Sequence, residues 1–230
     1  MSNQKLDQRV IVAGTGPAGL IAALAFADAG FGVSLVGPEA NAQDGRTTAL
    51  MNPALAMLDR LGVLKPLAHK AAPLKIMRIV DATSRLIRSP VVTFRASEID
   101  EHRFGLNMPN AVLNQTLAET VASQPAIEWH NSIVSAWRLE ADRAIAVLAD
   151  GSEISGSLAV AADGRLSQAR EAAGIAVSTR SYPQAALVLN FAHTSDHAFT
   201  STEFHTETGP FTQVPLPGKR SSLVWVVKPE

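Results

Sequence analysis

The segment 14–19, which reads GTGPAG, constrains the fold more than any other part of the chain. It follows a short apolar run over Arg9–Ala13 and precedes a stretch rich in alanine and leucine. A buried parallel strand needs such an apolar run, and alanine and leucine favour a helix. Pro17 suits the first turn of that helix, and Gly30 suits its end. With a β-branched strand over 31–36, we predict a βαβ unit.

The glycines of this loop have the spacing G-x-G-x-x-G that is typical of dinucleotide-binding proteins. In that motif Gly14 would permit the tight turn, Gly16 would let a pyrophosphate approach the backbone, and Gly19 would let helix and strand pack closely. Phosphates bind the free N–H groups at a helix N-terminus, here the turn that holds Pro17 and Ala18. We therefore predict dinucleotide binding by this loop, and a purely structural glycine turn is the alternative.

An acidic residue commonly follows the second strand of such a unit and binds the ribose hydroxyls. Here Gly37 and Pro38 stand directly after the predicted strand, and Glu39 comes next, 20 residues after Gly19. Glu39 is therefore the candidate ribose-binding residue. A solvated surface glutamate is the alternative interpretation.

The rest of the chain alternates helical and strand-like segments. A helix is predicted from Asn52 to Gly62, another from Asn110 to before Pro125, and a short one after Asp163 that Gly174 ends. Strands are predicted over 75–80, 91–95, 158–162, 185–193, 199–205, 211–216 and 222–227, with antiparallel strands over 127–134, 135–140 and 144–148 and one more after the Asp150-Gly151 turn. We expect the strand over 222–227 to have an unpaired edge. The predicted fold class is α/β, with a parallel sheet interleaved with a β-rich part. We expect the strands over 9–13 and 158–162 to belong to that parallel sheet, so that Asp163 and Gly164 lie beside the glycine loop.

Composition excludes several classes of protein. The 230 residues are 47% hydrophobic and 18% charged, which is unlike a disordered chain, and a net charge of −1 gives no reason to expect nucleic-acid binding. Cysteine is absent, which excludes disulfides, thiolate metal sites, iron–sulfur clusters and cysteine nucleophiles. The polar N-terminus lacks the apolar core of a signal peptide, so we expect a cytoplasmic protein.

Two other kinds of site find little support in the sequence. His193 and His197 are four residues apart, with His205 further on, but no nearby carboxylate completes a standard ligand set. We expect no metal site. A Ser-His-Asp hydrolase would need a nucleophile elbow such as G-x-S-x-G, and the sequence has none.

Further motifs make the chain similar to a known family. They are DGRTTAL over 44–50 with LDRLGV over 58–63, DGRLSQAR over 163–170, and GP at 209–210 followed by VPLP over 214–217 and LVW over 223–225. Together with the glycine loop, they resemble the FAD-dependent aromatic hydroxylases of the para-hydroxybenzoate hydroxylase type. Within that group the chain looks most like the ubiquinone-biosynthesis hydroxylases that oxidise polyprenylated phenols. The resemblance covers the whole chain.

The resemblance implies roles for four residues outside the glycine loop. In the family, the Asp and Gly that match Asp163 and Gly164 approach FAD, and the segment, which here includes Arg170, is also implicated in nicotinamide cofactor binding. Arg46 would lie near the flavin and its phosphates. The structural alternatives are a common Asp-Gly turn with Ser167 as a helix cap, and a solvated loop arginine. The implied domains are an FAD-binding domain over 1–74 and 97–180, and an incomplete β-rich substrate domain over 75–96 and 181–230.

The implied activity is FAD- and NAD(P)H-dependent monooxygenation of a polyprenylated phenol by molecular oxygen, with association to a membrane surface or a biosynthetic complex. No catalytic side chain is assigned. Family members carry an acid where Gly37 stands, and they have a second, Gly-Asp flavin motif that this sequence lacks. We therefore expect the C-terminal part to be missing and the chain alone to be inactive. The alternatives are another flavoprotein oxidoreductase of this fold and a non-catalytic dinucleotide-binding module.

Overall fold

The structure, a computed structural model, describes residues 8–39 and 44–229. The strands are β1 (Arg9–Ala13), β2 (Gly32–Val36), β3 (Thr47–Met51), β4 (Ala72–Leu74), β5 (Ile76–Asp81), β6 (Val92–Arg95), β7 (Gly105–Pro109), β8 (Ile127–His130), β9 (Val134–Leu139), β10 (Ala144–Leu148), β11 (Glu153–Gly156), β12 (Leu158–Ala161), β13 (Ala185–Ala192), β14 (Thr200–Thr206), β15 (Gly209–Leu216) and β16 (Arg220–Val227). The helices are α1 (Pro17–Asp28), α2 (Asn52–Arg60), α3 (Leu64–Leu67), α4 (Asn110–Ala122) and α5 (Gln168–Ala172).

The described residues form two compact units. The first unit contains residues 8–39, 61–63 and 114–179, and the second contains residues 44–60, 64–113 and 180–229. The α/β and β-rich parts therefore alternate along the chain. The observed mixture of a parallel sheet with β-rich sheets confirms the predicted fold class.

A four-stranded parallel sheet organises the first unit, in the order β12-β1-β2-β8. Val10 of β1 stands between Leu158 of β12 and Val33 of β2. Helix α1 connects β1 to β2 and ends before Gly30, whose φ of 87° suits a glycine. The predicted βαβ unit is confirmed, as is the expectation that the strands around 9–13 and 158–162 share one parallel sheet.

The core of this unit lies between the parallel sheet and a three-stranded antiparallel sheet, β11-β10-β9. Ile11 and Val36 from the parallel sheet pack with Ala146 and Leu148 from β10. Because side chains alternate along a strand, Val10 and Val12 point to the other face of the parallel sheet. Helix α1 buries a matching set of apolar residues, namely Leu20, Ala23 and Leu24.

The prediction of an antiparallel strand over 127–134 is wrong. Residues Ile127–His130 form β8, which pairs in parallel with β2, and the chain turns at Ser132 before β9 begins. The N–H of Val33 donates to the carbonyl of Ala126 at 2.8 Å, which starts the parallel ladder. The partner of β8 is about 90 residues away in sequence, so local patterning did not reveal it. Strands β9 and β10 are antiparallel as predicted.

A six-stranded sheet dominates the second unit, in the order β13-β16-β15-β14-β5-β6. Strands β14 and β5 pair in parallel, and the other neighbours are antiparallel. Strand β16 lies between β13 and β15 and is paired on both sides. The expectation of an unpaired edge over 222–227 is therefore wrong, because the hairpin partner and the strand over 185–192 cover both edges.

A smaller antiparallel sheet, β3-β7-β4, completes the second unit and was not predicted from the sequence. The buried side chain of Asn107 on β7 donates from Nδ2 to the carbonyl oxygen of Pro215 on β15, at 2.8 Å. This bond joins the smaller sheet to the six-stranded one and satisfies a buried amide. Within residues 8–39 and 44–229, no helix is long and apolar enough to cross a bilayer.

Candidate cofactor-binding site

The glycine loop joins β1 to α1, and two of its glycines are required by backbone packing. Gly14 has a φ of 110°, and a Cβ atom there would lie 2.1 Å from the carbonyl oxygen of Ala162. A Cβ atom on Gly19 would lie 1.9 Å from the carbonyl oxygen of Gly14. Both distances are far below van der Waals contact. These glycines therefore let the loop, helix α1 and the end of β12 lie against one another.

Gly16 differs from its two neighbours, because its surroundings do not explain why it is glycine. Its φ of −72° suits any residue, and a Cβ atom there would meet nothing within 4 Å. Gly16 is also the N-cap of α1 and supplies no side chain to cap the helix. The first turn, with Pro17 and Ala18, therefore presents its N–H groups beside open space. A phosphate group fits such a helix N-terminus.

Asp163 and Gly164 follow β12 and lie beside the glycine loop, as predicted. A Cβ atom on Gly14 would approach the backbone N of Asp163 to 2.9 Å, although about 150 residues separate the two. Both Gly14 and Asp163 line a crevice of about 270 Å³ at the carboxyl ends of β1, β2 and β12. Its other lining residues are Ala13, Val36, Gly37, Ile133, Val134, Leu166 and Gln168. Ligands of parallel α/β sheets bind at this end of the strands.

The carboxylate of Asp163 remains ionised in this position. Burial acts to raise its pKa, but hydrogen bonds from the Ser167 hydroxyl and from nearby backbone N–H groups outweigh burial and lower the pKa. One of these donors is the N–H of Ala169, 3.2 Å from Oδ2. The other oxygen, Oδ1, is buried and has no partner among the described residues. A ligand hydroxyl or a water molecule would satisfy that acceptor.

Arg170 lies on α5, on the wall of a second cavity of about 500 Å³ that Asp163 and Gly164 also line. Its Nη1 donates to the carbonyl oxygen of Arg165 at 3.1 Å, and its buried Nε has no partner within the described chain. Gly164 has a φ of 86°, and nothing lies within 4 Å of a Cβ atom there. Ser167 caps α5 through its hydroxyl, which accepts from the N–H of Arg170. Arg170 therefore borders Asp163 on the side of α5.

The end of β2 lies against the glycine loop. The hydroxyl of Thr15 donates to the carbonyl oxygen of Pro38 at 2.5 Å, and the N–H of Gly14 donates to Val36 at 2.8 Å. Glu39 follows with an exposed side chain that does not line the crevice. The structure therefore does not bring Glu39 into the crevice, and its ribose-binding role remains a prediction.

Arg46 belongs to the second unit, where Asp44 holds it. The Nε and Nη2 atoms of Arg46 donate to the two carboxylate oxygens of Asp44, each at 2.8 Å, and the Asn110 amide donates to Asp44 at 3.0 Å. These bonds, led by those from Arg46, hold the pKa of Asp44 well below its usual range. The Arg46 side chain is 71% exposed, so its outer face is accessible to an anion.

The predicted residues of the first unit gather at one end of its parallel sheet. Gly14, Gly16, Gly19, Asp163 and Gly164 lie there, with Pro17 and Ala18 in the adjoining helical turn, Arg170 on the wall of the second cavity, and Glu39 outside the lining of both cavities. Sequence reasoning missed Thr15, which touches the end of β2, and Asp44 with Asn110, which orient Arg46. The position of Thr15, a polar residue between Gly14 and Gly16, was the only sign in the sequence that its side chain contacts a neighbouring segment.

Comparison with known proteins decides the family. A family model described as an FAD binding domain matches residues 7–230. This chain belongs to the FAD binding domain family. The match spans both units, so the β-rich unit is part of the family's fold and not an unrelated addition.

Curated relatives support this membership. The chain is 33% identical to the ubiquinone hydroxylase UbiL of Rhodospirillum rubrum over 223 residues, which cover 94% of this chain and 51% of that protein. It is 27% identical to the 3-demethoxyubiquinol 3-hydroxylase of Escherichia coli, with 100% and 59% covered. The chain thus spans about half the length of the curated relatives that it matches.

Solved structures show the same fold. HpxO of Klebsiella pneumoniae, complexed with FAD and uric acid, superposes with a TM-score of 0.77 at 20% identity, covering 98% of this chain and 58% of HpxO. The p-nitrophenol 4-monooxygenase PnpA of Pseudomonas putida gives a TM-score of 0.80 at 20% identity, with 97% and 58% covered. The open space at Gly16 and the unpartnered oxygen of Asp163 fit the cofactor that names the family.

Proposed function

We propose that this chain supplies the FAD-binding part of a monooxygenase that hydroxylates the aromatic ring of a polyprenylated phenol in ubiquinone biosynthesis. NAD(P)H is the proposed reductant, and molecular oxygen the oxidant. When bound, FAD supplies the redox chemistry. The residues of this chain bind the cofactor, orient it and hold the substrate. The relatives named ubiquinone hydroxylases support the choice of substrate class.

The observation that carries the proposal is the open space beside Gly16, at the N-terminus of α1. Gly14 and Gly19 are glycines because the backbone leaves no room for a side chain, whereas Gly16 has unoccupied space on its exposed side. A glycine in ordinary backbone geometry that faces open space at a helix N-terminus permits a bulky anionic ligand to approach. In this proposal the pyrophosphate of FAD lies over Gly16 and accepts from the N–H groups at the start of α1.

Asp163 complements that loop. Its charge excludes a phosphate from direct contact, but its free Oδ1 accepts from a hydroxyl group. The sugar-derived hydroxyls of FAD are such donors. In this proposal Asp163 orients the part of the cofactor next to the pyrophosphate, and Arg46 in the second unit offers its exposed guanidinium to an anionic group.

The six-stranded sheet of the second unit offers an apolar surface on the face that contacts Gly45 and Thr47. Asn190 of β13 donates to the carbonyl oxygen of Gly45 at 2.8 Å, and Thr47 donates to Ser222 of β16 at 3.1 Å. The two bonds are made by Gly45 and Thr47, the residues on either side of Arg46. They identify the sheet face that contacts the segment 45–47.

Two valines continue this face away from the polar contacts. Val188 lies two residues before Asn190, Val224 lies two residues after Ser222, and the two valines pair across the strands. Residues two apart on a strand share a face. Val188 and Val224 remain 44% and 36% exposed, which leaves an apolar surface for an aromatic ring with an apolar tail.

A valine at position 16 tests the cofactor assignment. Gly16→Val should lower the thermal unfolding temperature only slightly, because its Cβ atom meets no described atom within 4 Å and the cost is that of a poorer N-cap, yet reduce FAD binding at least a hundredfold. The control Ala141→Val introduces the same side chain at an exposed bend and should bind FAD normally. Binding is measured by the fluorescence change of FAD on titration with protein. Normal FAD affinity in Gly16→Val would overturn the assignment.

Substrate class is tested by turnover of phenols by the full-length protein. NAD(P)H-dependent incorporation of labelled oxygen into a polyprenylated phenol is the expected result. Equal turnover of a short soluble phenol and its polyprenylated counterpart would argue against the tail as a recognised feature. FAD binding without hydroxylation of either phenol would contradict the proposed reaction while preserving the cofactor assignment.

A further inference from the structure

The backbone immediately after β2 forms one wall of the crevice. The N–H of Gly37 donates to the carbonyl oxygen of His130 at 3.1 Å, and the indole N–H of Trp129 donates to the carbonyl oxygen of Gly37 at 2.9 Å. Both bonds fix Gly37 against the end of β8. Gly37 lines the crevice together with Gly14. Position 37 directly follows the second strand, where dinucleotide-binding units commonly carry the acid that binds the ribose.

Thr15 occupies the space that such a side chain would need. A Cβ atom on Gly37 would lie 2.6 Å from Oγ1, 2.7 Å from Cγ2 and 3.1 Å from Cβ of Thr15. The backbone of Gly37 is not in the left-handed region, so its dihedral angles accept any residue. The side chain of Thr15, which supplies the three atoms nearest to that Cβ, therefore leaves no room for a larger residue at position 37.

The position of Thr15 is firmly held. Its side chain is buried, and its hydroxyl donates to the carbonyl oxygen of Pro38. Because this donor is used, rotation of Thr15 away from Gly37 would break a hydrogen bond in a buried place. Thr15 thus both closes the end of β2 and anchors the turn that leads to Glu39.

Glu39 is the first carboxylate after β2 and is exposed. No ion pair or hydrogen bond engages its side chain within residues 8–39 and 44–229. A free carboxylate is an acceptor for two neighbouring hydroxyl groups. The hydrogen bond from Thr15 to the carbonyl oxygen of Pro38 fixes the backbone directly before Glu39.

Building on the proposed FAD binding, we propose that Thr15 determines how the cofactor ribose is recognised. Thr15 excludes a ribose-binding side chain from position 37 and transfers that role to Glu39, two residues further on. The residue types at positions 15 and 37 then depend on each other. A smaller residue at position 15 would permit an acid at position 37, and that acid would make Glu39 dispensable for ribose binding.

The claim that Thr15 excludes a side chain from position 37 is tested by a double-mutant cycle, in which the unfolding temperature is measured without any ligand. Gly37→Ala should lower the unfolding temperature in the wild-type chain, and most of that loss should disappear when Thr15→Ala is also present. Thr15→Ala alone loses the bond to Pro38 and serves as the reference for the double variant. Losses that simply add would show that Thr15 does not control position 37.

The recognition part is tested by FAD titration. Glu39→Gln should weaken FAD binding about tenfold, whereas the control Glu119→Gln, an exposed acid on α4, should have no effect. The double variant Thr15→Ala, Gly37→Glu should bind FAD at wild-type strength, and adding Glu39→Gln to it should cost less than threefold. Wild-type affinity in Glu39→Gln alone would overturn this inference.

The outcomes separate this inference from the proposed function. If Gly16→Val abolishes FAD binding while Glu39→Gln leaves it unchanged, the cofactor assignment stands and the role of Glu39 is refuted. If the wild-type chain does not bind FAD, the proposed function and the role of Glu39 fail together. The stability cycle still decides whether Thr15 excludes a side chain from position 37.

Discussion

The carbonyl oxygen of Ala162 lies 2.1 Å from the point where a Cβ atom on Gly14 would stand. Gly14 and Ala162 directly follow the neighbouring parallel strands β1 and β12, and the N–H of Ala162 donates to the carbonyl oxygen of Ala13 at 2.8 Å. This close approach brings the glycine loop and the segment from Asp163 to one crevice. Such a close approach of the two strand ends is possible only because residue 14 is a glycine and has no side chain.

Gly14→Ala should destabilise the first unit by at least about 2 kcal/mol, because alanine there combines a strained φ with a collision against backbone. Urea unfolding followed by tryptophan fluorescence measures the effect. Gly16→Ala is the matched control, since it adds the same methyl group to open space in the same loop. Equal stability of the two variants would contradict the distinction between these glycines.

Ile11→Ala should cost about 3 kcal/mol of unfolding free energy, because Ile11 is fully buried among Val36, Ala146 and Leu148. Ile87→Ala, at a side chain that is 87% exposed, should change stability by less than about 0.5 kcal/mol. Differential scanning calorimetry compares both variants with the wild type. A small loss in Ile11→Ala would mean that the contact between the parallel and antiparallel sheets contributes little to stability.

The ion pair of Asp44 and Arg46 should make stability depend on acidity. The pKa of Asp44 is lowered in the folded chain, so its contribution is fully present above the pKa of an unfolded aspartate, about 4, and is lost as the pH falls below that value. Asp44→Asn should therefore lower the unfolding temperature at pH 7, by an amount that shrinks below pH 4. A difference that is constant from pH 7 to pH 3 would contradict this assignment.

Local chemistry made much of the first unit predictable. The turn at Gly14, the proline in the first turn of α1 and the end of that helix near Gly30 each follow from backbone rules that act over a few residues. The proximity of Asp163 to the glycine loop also followed, because two apolar parallel strands present their carboxyl ends at one edge. The cofactor family was recognisable from motifs that combine these features.

Other features depended on partners distant in sequence. Strand β8 pairs with β2 and not with its neighbour β9, and β16 acquires partners on both sides. The short strands β3, β4 and β7 find their partners only in the folded unit. The side chains that hold Arg46 and fill the space beside Gly37 were hidden for the same reason, since packing and not spacing brings them together.

The parallel pairing of β5 with β14 also bears on biosynthesis. Arg78 on β5 donates to the hydroxyl of Thr202 on β14, 124 residues later in the chain. At translation rates of roughly 5–20 residues per second, β5 waits on the order of 6–25 seconds for this partner. During that interval its edge is available to wrong partners, such as the same strand in a neighbouring nascent chain. Slow translation of the residues between β5 and β14 would thus influence the yield of folded protein, and so would chaperone binding near residue 80.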